Sequence, residues 1–239
     1  MTVGIVVALP EELSTLTSQK IAKGCCVSIA DTIIVGYSGA GADNARLTAE
    51  HLITQGATRL ISWGCAAALS DTLKPGDLIL PDTLIDAEGT HFSIQSDWHR
   101  DSQKRLSNTR PVHTGRLAES HNIVASSEAK KRLHRQSNAI ALDMESVAIA
   151  NVARQNRLPF LAVRAIADPA GMDLPKAISH ALNAEGDIVL GKLLRFIAQH
   201  PSEVPGLIKL GLHFNAAKNT LKWVAKQLDA LIDLPNPTP

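Results

Sequence analysis

Residues 3–9 read Val-Gly-Ile-Val-Val-Ala-Leu, an apolar run with no polar alternation. That is the pattern of a strand covered on both faces, as in a parallel sheet between helices. Pro10 suits the first position of a helix, and Glu11 and Glu12 fall in its first turn, where the helix dipole favours negative charge. Residues 25–30 and 32–37 read as two further strands with a tight connection. Ser38-Gly39-Ala40-Gly41 then leads into a helix over 43–55. A short strand over 60–63 runs into the small residues Gly64-Cys65-Ala66-Ala67-Ala68. Lys74-Pro75-Gly76-Asp77 is a turn signal, after which 78–84 resumes the sheet. Residues 89–111 are polar and charged and read as a surface loop with one short helix at most. A helix is expected over 146–156, a central strand over 159–167 and a helix over 174–199. Strands alternating with helices predict a single α/β domain over residues 1–200, with a central mixed, mostly parallel twisted sheet flanked by helices.

The C-terminal stretch 201–239 differs in pattern. Within 204–232, Leu207, Leu210, Phe214, Ala217, Leu221, Val224, Leu228 and Leu231 recur at three- and four-residue steps, with Lys209, Lys218, Lys222 and Lys226 between them. This predicts an amphipathic helical extension, continuous or broken near Gly211. Two uses fit it. It can pack on its own domain or on a sister subunit, or, with Trp223 and its lysines, it can lie at a membrane surface.

Composition narrows the function classes. Lys+Arg total 24 against Asp+Glu 23, a net charge of +1, which gives no electrostatic case for nucleic acid. Aromatic residues are only 3%, so Ala, Leu, Ile and Val must fill the core. The three cysteines, Cys25, Cys26 and Cys65, have neither metal-site nor disulfide spacing and read as reduced thiols of a cytoplasmic protein. No signal peptide is evident, and no apolar run approaches the ~20 residues of a membrane span. No metal site is expected.

The chemistry concentrates at strand–helix junctions. Ser38-Gly39-Ala40-Gly41-Ala42-Asp43-Asn44 lacks the third glycine of a dinucleotide fingerprint, which leaves a backbone cradle for a phosphate or ribose hydroxyl. Glu12 and Glu145 each open a helix and have an ordinary explanation as dipole partners. Asp168 ends a strand immediately before Pro169, which keeps its backbone extended at the sheet's carboxyl edge. Ligands bind at that edge in open α/β sheets. Three acids at such junctions of one sheet are harder to dismiss than any one of them.

Gly4-Ile5-Val6-Val7-Ala8-Leu9-Pro10-Glu11-Glu12, Ser38-Gly39-Ala40-Gly41, Trp63-Gly64-Cys65-Ala66-Ala67-Ala68-Leu69, Lys74-Pro75-Gly76-Asp77, Asp143-Met144-Glu145-Ser146 and Arg164-Ala165-Ile166-Ala167-Asp168 occur in that order. Together they resemble the motifs of the purine nucleoside phosphorylase and methylthioadenosine/adenosylhomocysteine nucleosidase superfamily, over about residues 3–198. The resemblance implies a nucleoside phosphorylase/hydrolase-like fold and cleavage of the N-glycosidic bond of an adenine-type nucleoside. Asp168 would protonate or hydrogen-bond N7 of the purine, and Glu12 would activate the attacking water. Glu145 would bind the ribose hydroxyls, ionised with help from its helix terminus. Met144 would lie against the sugar, Cys65, Ala66 and Ala67 would back sugar and base, and Ser38 and Gly39 would contribute to binding. Asp143 reads as a structural neighbour.

Departures from the family pattern bear on the nucleophile. The phosphorylases' arginine before the strand-end glycine is absent from Ile61-Ser62-Trp63-Gly64, and Cys65 replaces their usual Ser or Thr. Retention of Glu12 favours water, although Arg46 or Arg164 could supply charge for inorganic phosphate as co-substrate; no other cofactor is implied. Residues 89–124 lack the aromatic-rich loop of methylthioadenosine nucleosidases, and His121-Asn122-Ile123 are candidates for the base side. Asp143-Met144-Glu145-Ser146 with such a tail is most similar to the hopanoid-associated phosphorylase branch, which implies adenosylhopane as substrate. Residues 204–232 would then shelter the lipid or make peripheral membrane contact. A homo-oligomer, built on dimers or trimers, is expected. The alternatives are a soluble nucleosidase or phosphorylase and a non-catalytic nucleoside-binding protein on the same fold.

Overall fold

The computed structural model describes residues 1–181 and 190–232. Along the chain run β1 (Val3–Val7), α1 (Pro10–Leu13), β2 (Cys26–Ala30), β3 (Ile33–Tyr37), α2 (Ala42–Thr54) and β4 (Arg59–Ala68). They are followed by β5 (Leu78–Ile79), β6 (Thr83–Ile85), β7 (His91–Ser93), α3 (Asp97–Ser107), β8 (Val112–His113), β9 (Arg116–Glu119) and α4 (Ser127–Ser137). The rest comprises β10 (Ala141–Asp143), α5 (Ser146–Gln155), β11 (Phe160–Asp168), α6 (Lys176–Ala181), α7 (Leu190–Gln199), α8 (Val204–Ala225) and α9 (Leu228–Ile232). The helix expected over 174–199 is met by α6 and α7; residues 182–189 between them lie outside the described residues.

All the described strands join one mixed sheet in the order β2-β3-β1-β4-β10-β9-β6-β7, with β11 beside β4 and β5, and β5 beside β8. The long β4 is its spine. Its first half runs parallel to β1, and its whole length is parallel to β11. Its last residues turn to pair antiparallel with β10. One strand therefore brings Gly64, Cys65, Ala66 and Ala67 alongside the ends of both β10 and β11, which carry Asp143 and Asp168.

Side-chain alternation splits the core in two. Val3, Ile5 and Val7 of β1 and Leu161, Val163 and Ala165 of β11 face one layer, filled by Trp98 and Leu106 of α3, by Ala217, Leu221 and Val224 of α8, and by Leu228 and Leu231 of α9. Val6, Phe160, Ala162 and Ile166 face the other, where Ala45, Ala49 and Leu52 of α2 meet Val147, Ala150 and Ala153 of α5.

One expectation changes here. The stretch 89–111 is more than a surface loop with one short helix: it holds the strand β7 and the eleven-residue helix α3, capped by the Ser96 hydroxyl on the His99 N–H. Trp98, Ser102 and Leu106, four apart, are its buried stripe, which the surrounding charges obscure. The C-terminal helix runs unbroken through Gly211. The end of the extension is also a core element, because Thr220 of α8 donates to the Gly76 carbonyl at 2.6 Å and the Trp98 indole donates to the carbonyl of Leu231 in α9 at 2.8 Å.

Candidate active site

A cavity of about 290 Å³ opens at the carboxyl ends of β4, β10 and β11. Its lining includes Glu12, Cys65, Ala66, Ala67, Asp143, Met144, Glu145 and Asp168, so residues dispersed over most of the chain meet in one place. Ser38 and Gly39, expected to bind substrate, do not line it. The Ser38 hydroxyl is buried and donates to the Val7 and Gly39 carbonyls, and it is the following Ala40 that faces the cavity.

Glu12 reaches the site because α1 begins directly after β1. One carboxylate oxygen accepts from the N–H groups of Leu9 at 3.0 Å and Ala8 at 3.3 Å, and the other from Cys65 N–H at 2.8 Å. A β-carbon on Gly64 would stand 2.6 Å from Glu12 Oε1, so any larger residue there would displace the Glu12 carboxylate. Burial raises the Glu12 pKa despite those three N–H groups and the Arg164 charge.

Glu145 sits at the N-cap of α5, but its side chain does not cap that helix. It reaches instead to α2, accepting from the N–H of Gly41 at 3.0 Å. Gly41 caps α2 with a φ of 99°, a backbone that glycine adopts without strain. The helix terminus does not keep Glu145 acidic: burial and the neighbouring Asp143 carboxylate push its pKa up to about 7. Asp143 is fully occupied, accepting from Arg164 at 2.7 Å, from the Ser146 hydroxyl at 2.5 Å and from the Ser146 N–H at 3.3 Å. Arg164, which is buried, also donates to the Ser62 hydroxyl. Burial works against its charge, but the carboxylates of Asp143, Glu145 and Glu12 outweigh that and raise its pKa.

Asp168 is aimed by a bulge. The β11–β4 register passes from Ile166 opposite Ala66 to Asp168 opposite Ala67, so Ala167 is the extra residue. Burial raises the Asp168 pKa, although Lys130 donates to Oδ1 at 2.6 Å. Behind Glu12 a water-sized pocket of about 10 Å³ is bordered by Ser62, Glu145 and Arg164. Of the two arginines considered for phosphate, Arg46 is exposed and paired with Glu50 at 2.8 Å, whereas Arg164 borders this pocket.

The cavity also has an apolar lining, to which the C-terminal helix expected to shelter a lipid contributes. Ile123, Val124, Leu174 and Ile178 line the cavity together with Leu210 and Phe214 of α8; Asn122 joins them, but His121 does not. The spacing of Leu210 and Phe214 was legible as a helix face, but no local pattern says that the face meets a cavity. Lys130 likewise sits in a Lys-Lys-Arg run that reads as solvated surface. Among the described residues, no group of His, Cys, Asp and Glu side chains is placed to hold a metal ion.

A mixed sheet of this topology, with carboxylates converging beside the ends of its central strands, defines an α/β protein with a small-molecule site of enzyme type. The model of the phosphorylase superfamily matches residues 2–190, and the chain belongs to that superfamily. The 5'-methylthioadenosine/S-adenosylhomocysteine nucleosidase of Staphylococcus aureus is 25% identical over 198 residues, covering 70% of this chain and 86% of the relative. Among solved structures, the corresponding Helicobacter pylori nucleosidase with butyl-thio-DADMe-Immucillin-A superposes with a TM-score of 0.72 at 20% identity, covering 97% of each chain. The native futalosine hydrolase of Helicobacter pylori gives a TM-score of 0.71 at 18% identity, again covering 97% of each chain. The shared fold extends over nearly the whole chain, the C-terminal helix included. The protein is an enzyme that cleaves N-glycosidic bonds.

Proposed function

We propose that the enzyme hydrolyses the bond between adenine and ribose in a nucleoside whose 5′ carbon carries an extended apolar group. The observation that carries this reading is one cavity lined both by Glu12, Glu145 and Asp168 and by Leu210 and Phe214 of α8. At about 290 Å³ it lies at the lower end of the ~300–1,000 Å³ usual for small-molecule sites, enough for the nucleoside but not for a long substituent as well. The substituent would leave past Leu210 and Phe214, while Ile208 and Leu212, 60% and 66% exposed, stand on the opposite face of α8.

In this reading Glu145 accepts hydrogen bonds from the ribose hydroxyls and Met144 packs on the sugar. Asp168 gives its proton to N7, which turns the base into a leaving group. The sugar passes through an oxocarbenium-like state, whose positive charge the surrounding carboxylates stabilise. Glu12, its pKa raised by burial, takes a proton from a water held in the pocket it shares with Arg164. Such chemistry moves protons and water and calls for no redox group. Adenosylhopane is the specific substrate we put forward, with residues 204–232 making peripheral membrane contact through the exposed apolar positions of α8.

The relatives' names favour a second reading, a nucleosidase for soluble methylthio- or homocysteinyl-adenosine. A series of 5′-alkylthioadenosines separates the two. The first reading expects kcat/KM to rise with chain length and Phe214→Ala to remove the gain while sparing turnover of the methyl compound. A preference for the methyl compound, unchanged in Phe214→Ala, would favour the second.

A further inference from the structure

Lys130 is fully buried, and each of its three ammonium hydrogens has a partner. Nζ donates to Asp168 Oδ1 at 2.6 Å, to the Met172 carbonyl at 2.9 Å and to the Pro169 carbonyl at 3.1 Å. Taking a lysine wholly out of water is costly unless the charge is paired and hydrogen-bonded, so this contact is a built one. Its frame is tied as well. The Ser127 N–H at the start of α4 donates to the Asp173 carboxylate at 2.6 Å, and the Leu174 N–H donates to the Ala125 carbonyl at 2.8 Å. Two of the three ammonium bonds go to backbone carbonyls that do not titrate, so Nζ keeps its place whichever state Asp168 is in.

We infer that Lys130 is a positioning residue for the proton transfer: by filling Oδ1 of Asp168 it confines the transferable proton to Oδ2 and stabilises the carboxylate that remains after transfer. The inference rests on Asp168 being the acid that protonates the base. The proton on Oδ2 passes to the base nitrogen, the Asp168 carboxylate keeps the electron pair of the broken O–H bond, and Lys130 retains all its protons. The ammonium therefore stabilises the product side of the transfer more than the starting side, which is the condition for lowering a barrier.

The charged groups facing Asp168 are Lys130 from α4 and Asp173 from the segment after β11, and their effects on it are opposed. Across the cavity stand Glu12, Asp143 and Glu145, with the Cys65 thiol. Turnover needs Asp168 protonated, so it falls as pH rises through the aspartate's pKa. Lys130 opposes that protonation, and without it the alkaline limb moves to higher pH.

The test is the pH profile of kcat for Lys130→Met on 5′-methylthioadenosine. We expect kcat to fall about tenfold or more, KM to change little, and the alkaline limb to move upward. A merely structural role would scale kcat down alike at every pH. Lys130→Gln, which keeps a donor without the charge, carries the same test if the Met variant does not fold. In an Asp168→Asn background, removing Lys130 should add no further loss. An unmoved alkaline limb, or a fully additive loss, overturns the inference. Wild-type turnover in Asp168→Asn alone overturns the assignment of the acid itself, a distinguishable outcome.

Discussion

On the proposed reading Glu145 carries both a binding role and a cost to the fold. Its pKa is raised to about 7, from 4.5 for an ordinary glutamate, by burial and by Asp143. Between those values the folded state holds a proton that the unfolded chain has released, so stability falls as pH rises through that window. Glu145→Gln should therefore raise Tm at pH 8, by about 2–4 °C per kcal/mol relieved, and should not raise it at pH 4. Equal effects at both values in a thermal-denaturation series would contradict the assignment. In catalysis the same titration acts the other way. If, as proposed, the ionised form accepts the ribose hydroxyls, kcat/KM should drop as pH falls below about 7, and Glu145→Gln should lose that limb along with much of its affinity. At this scale the sequence was informative where a side chain sits at a junction between elements. Glu12, Glu145 and Asp168 could be singled out as acids at strand–helix boundaries. Ser38 could not be separated from a ligand-binding serine, because its hydroxyl is consumed by backbone carbonyls that only the fold brings near. Lys130 could not be separated from its charged neighbours, because its partner lies 38 positions away in the chain.

The long C-terminal helix α8 shows what an amphipathic pattern does and does not tell. Its apolar spacing predicted a helix, and the structure divides that face by task. Leu210 and Phe214 reach the cavity, while Ala217, Leu221 and Val224 are fully buried on the sheet. Leu221→Ala should therefore destabilise the protein by about 2–5 kcal/mol, the usual cost of emptying a buried leucine site, as measured by denaturant unfolding. A loss within ±0.5 kcal/mol, the range of surface substitutions, would mean that α8 does not belong to the core. For the same reason, deleting residues 204–232 would unfold the enzyme rather than isolate a lipid function, and Phe214→Ala is the more discriminating change. The helix α3 is longer than the short helix expected there, because its buried Trp98, Ser102 and Leu106 are set among Asp97, Arg100, Asp101, Lys104 and Arg105. The strands β5, β8 and β10 have only two or three residues and no period of their own. β5 and β10 exist because a long neighbour, β11 or β4, offers them a register, and β8 adds onto β5.

Over the molecule as a whole, the continuous apolar strands were enough to fix an α/β sheet, since only strands covered on both faces read that way. Which strand ends lie side by side is a matter of topology. It is the parallel alignment of β1, β4 and β11, with β10 turned against the end of β4, that gathers Glu12, Glu145 and Asp168 into one cavity. The choice between water and phosphate likewise belongs to the assembled site. Arg46 is turned outward onto Glu50, and Arg164 is held by Asp143 and Ser62 beside a pocket of a single water's size. The most direct test is to incubate the enzyme with 5′-alkylthioadenosines, with and without inorganic phosphate, and to measure both free adenine and the sugar product. Hydrolysis predicts adenine released at the same rate in both conditions, with the free sugar as co-product. Release that requires phosphate and yields a sugar 1-phosphate would contradict it.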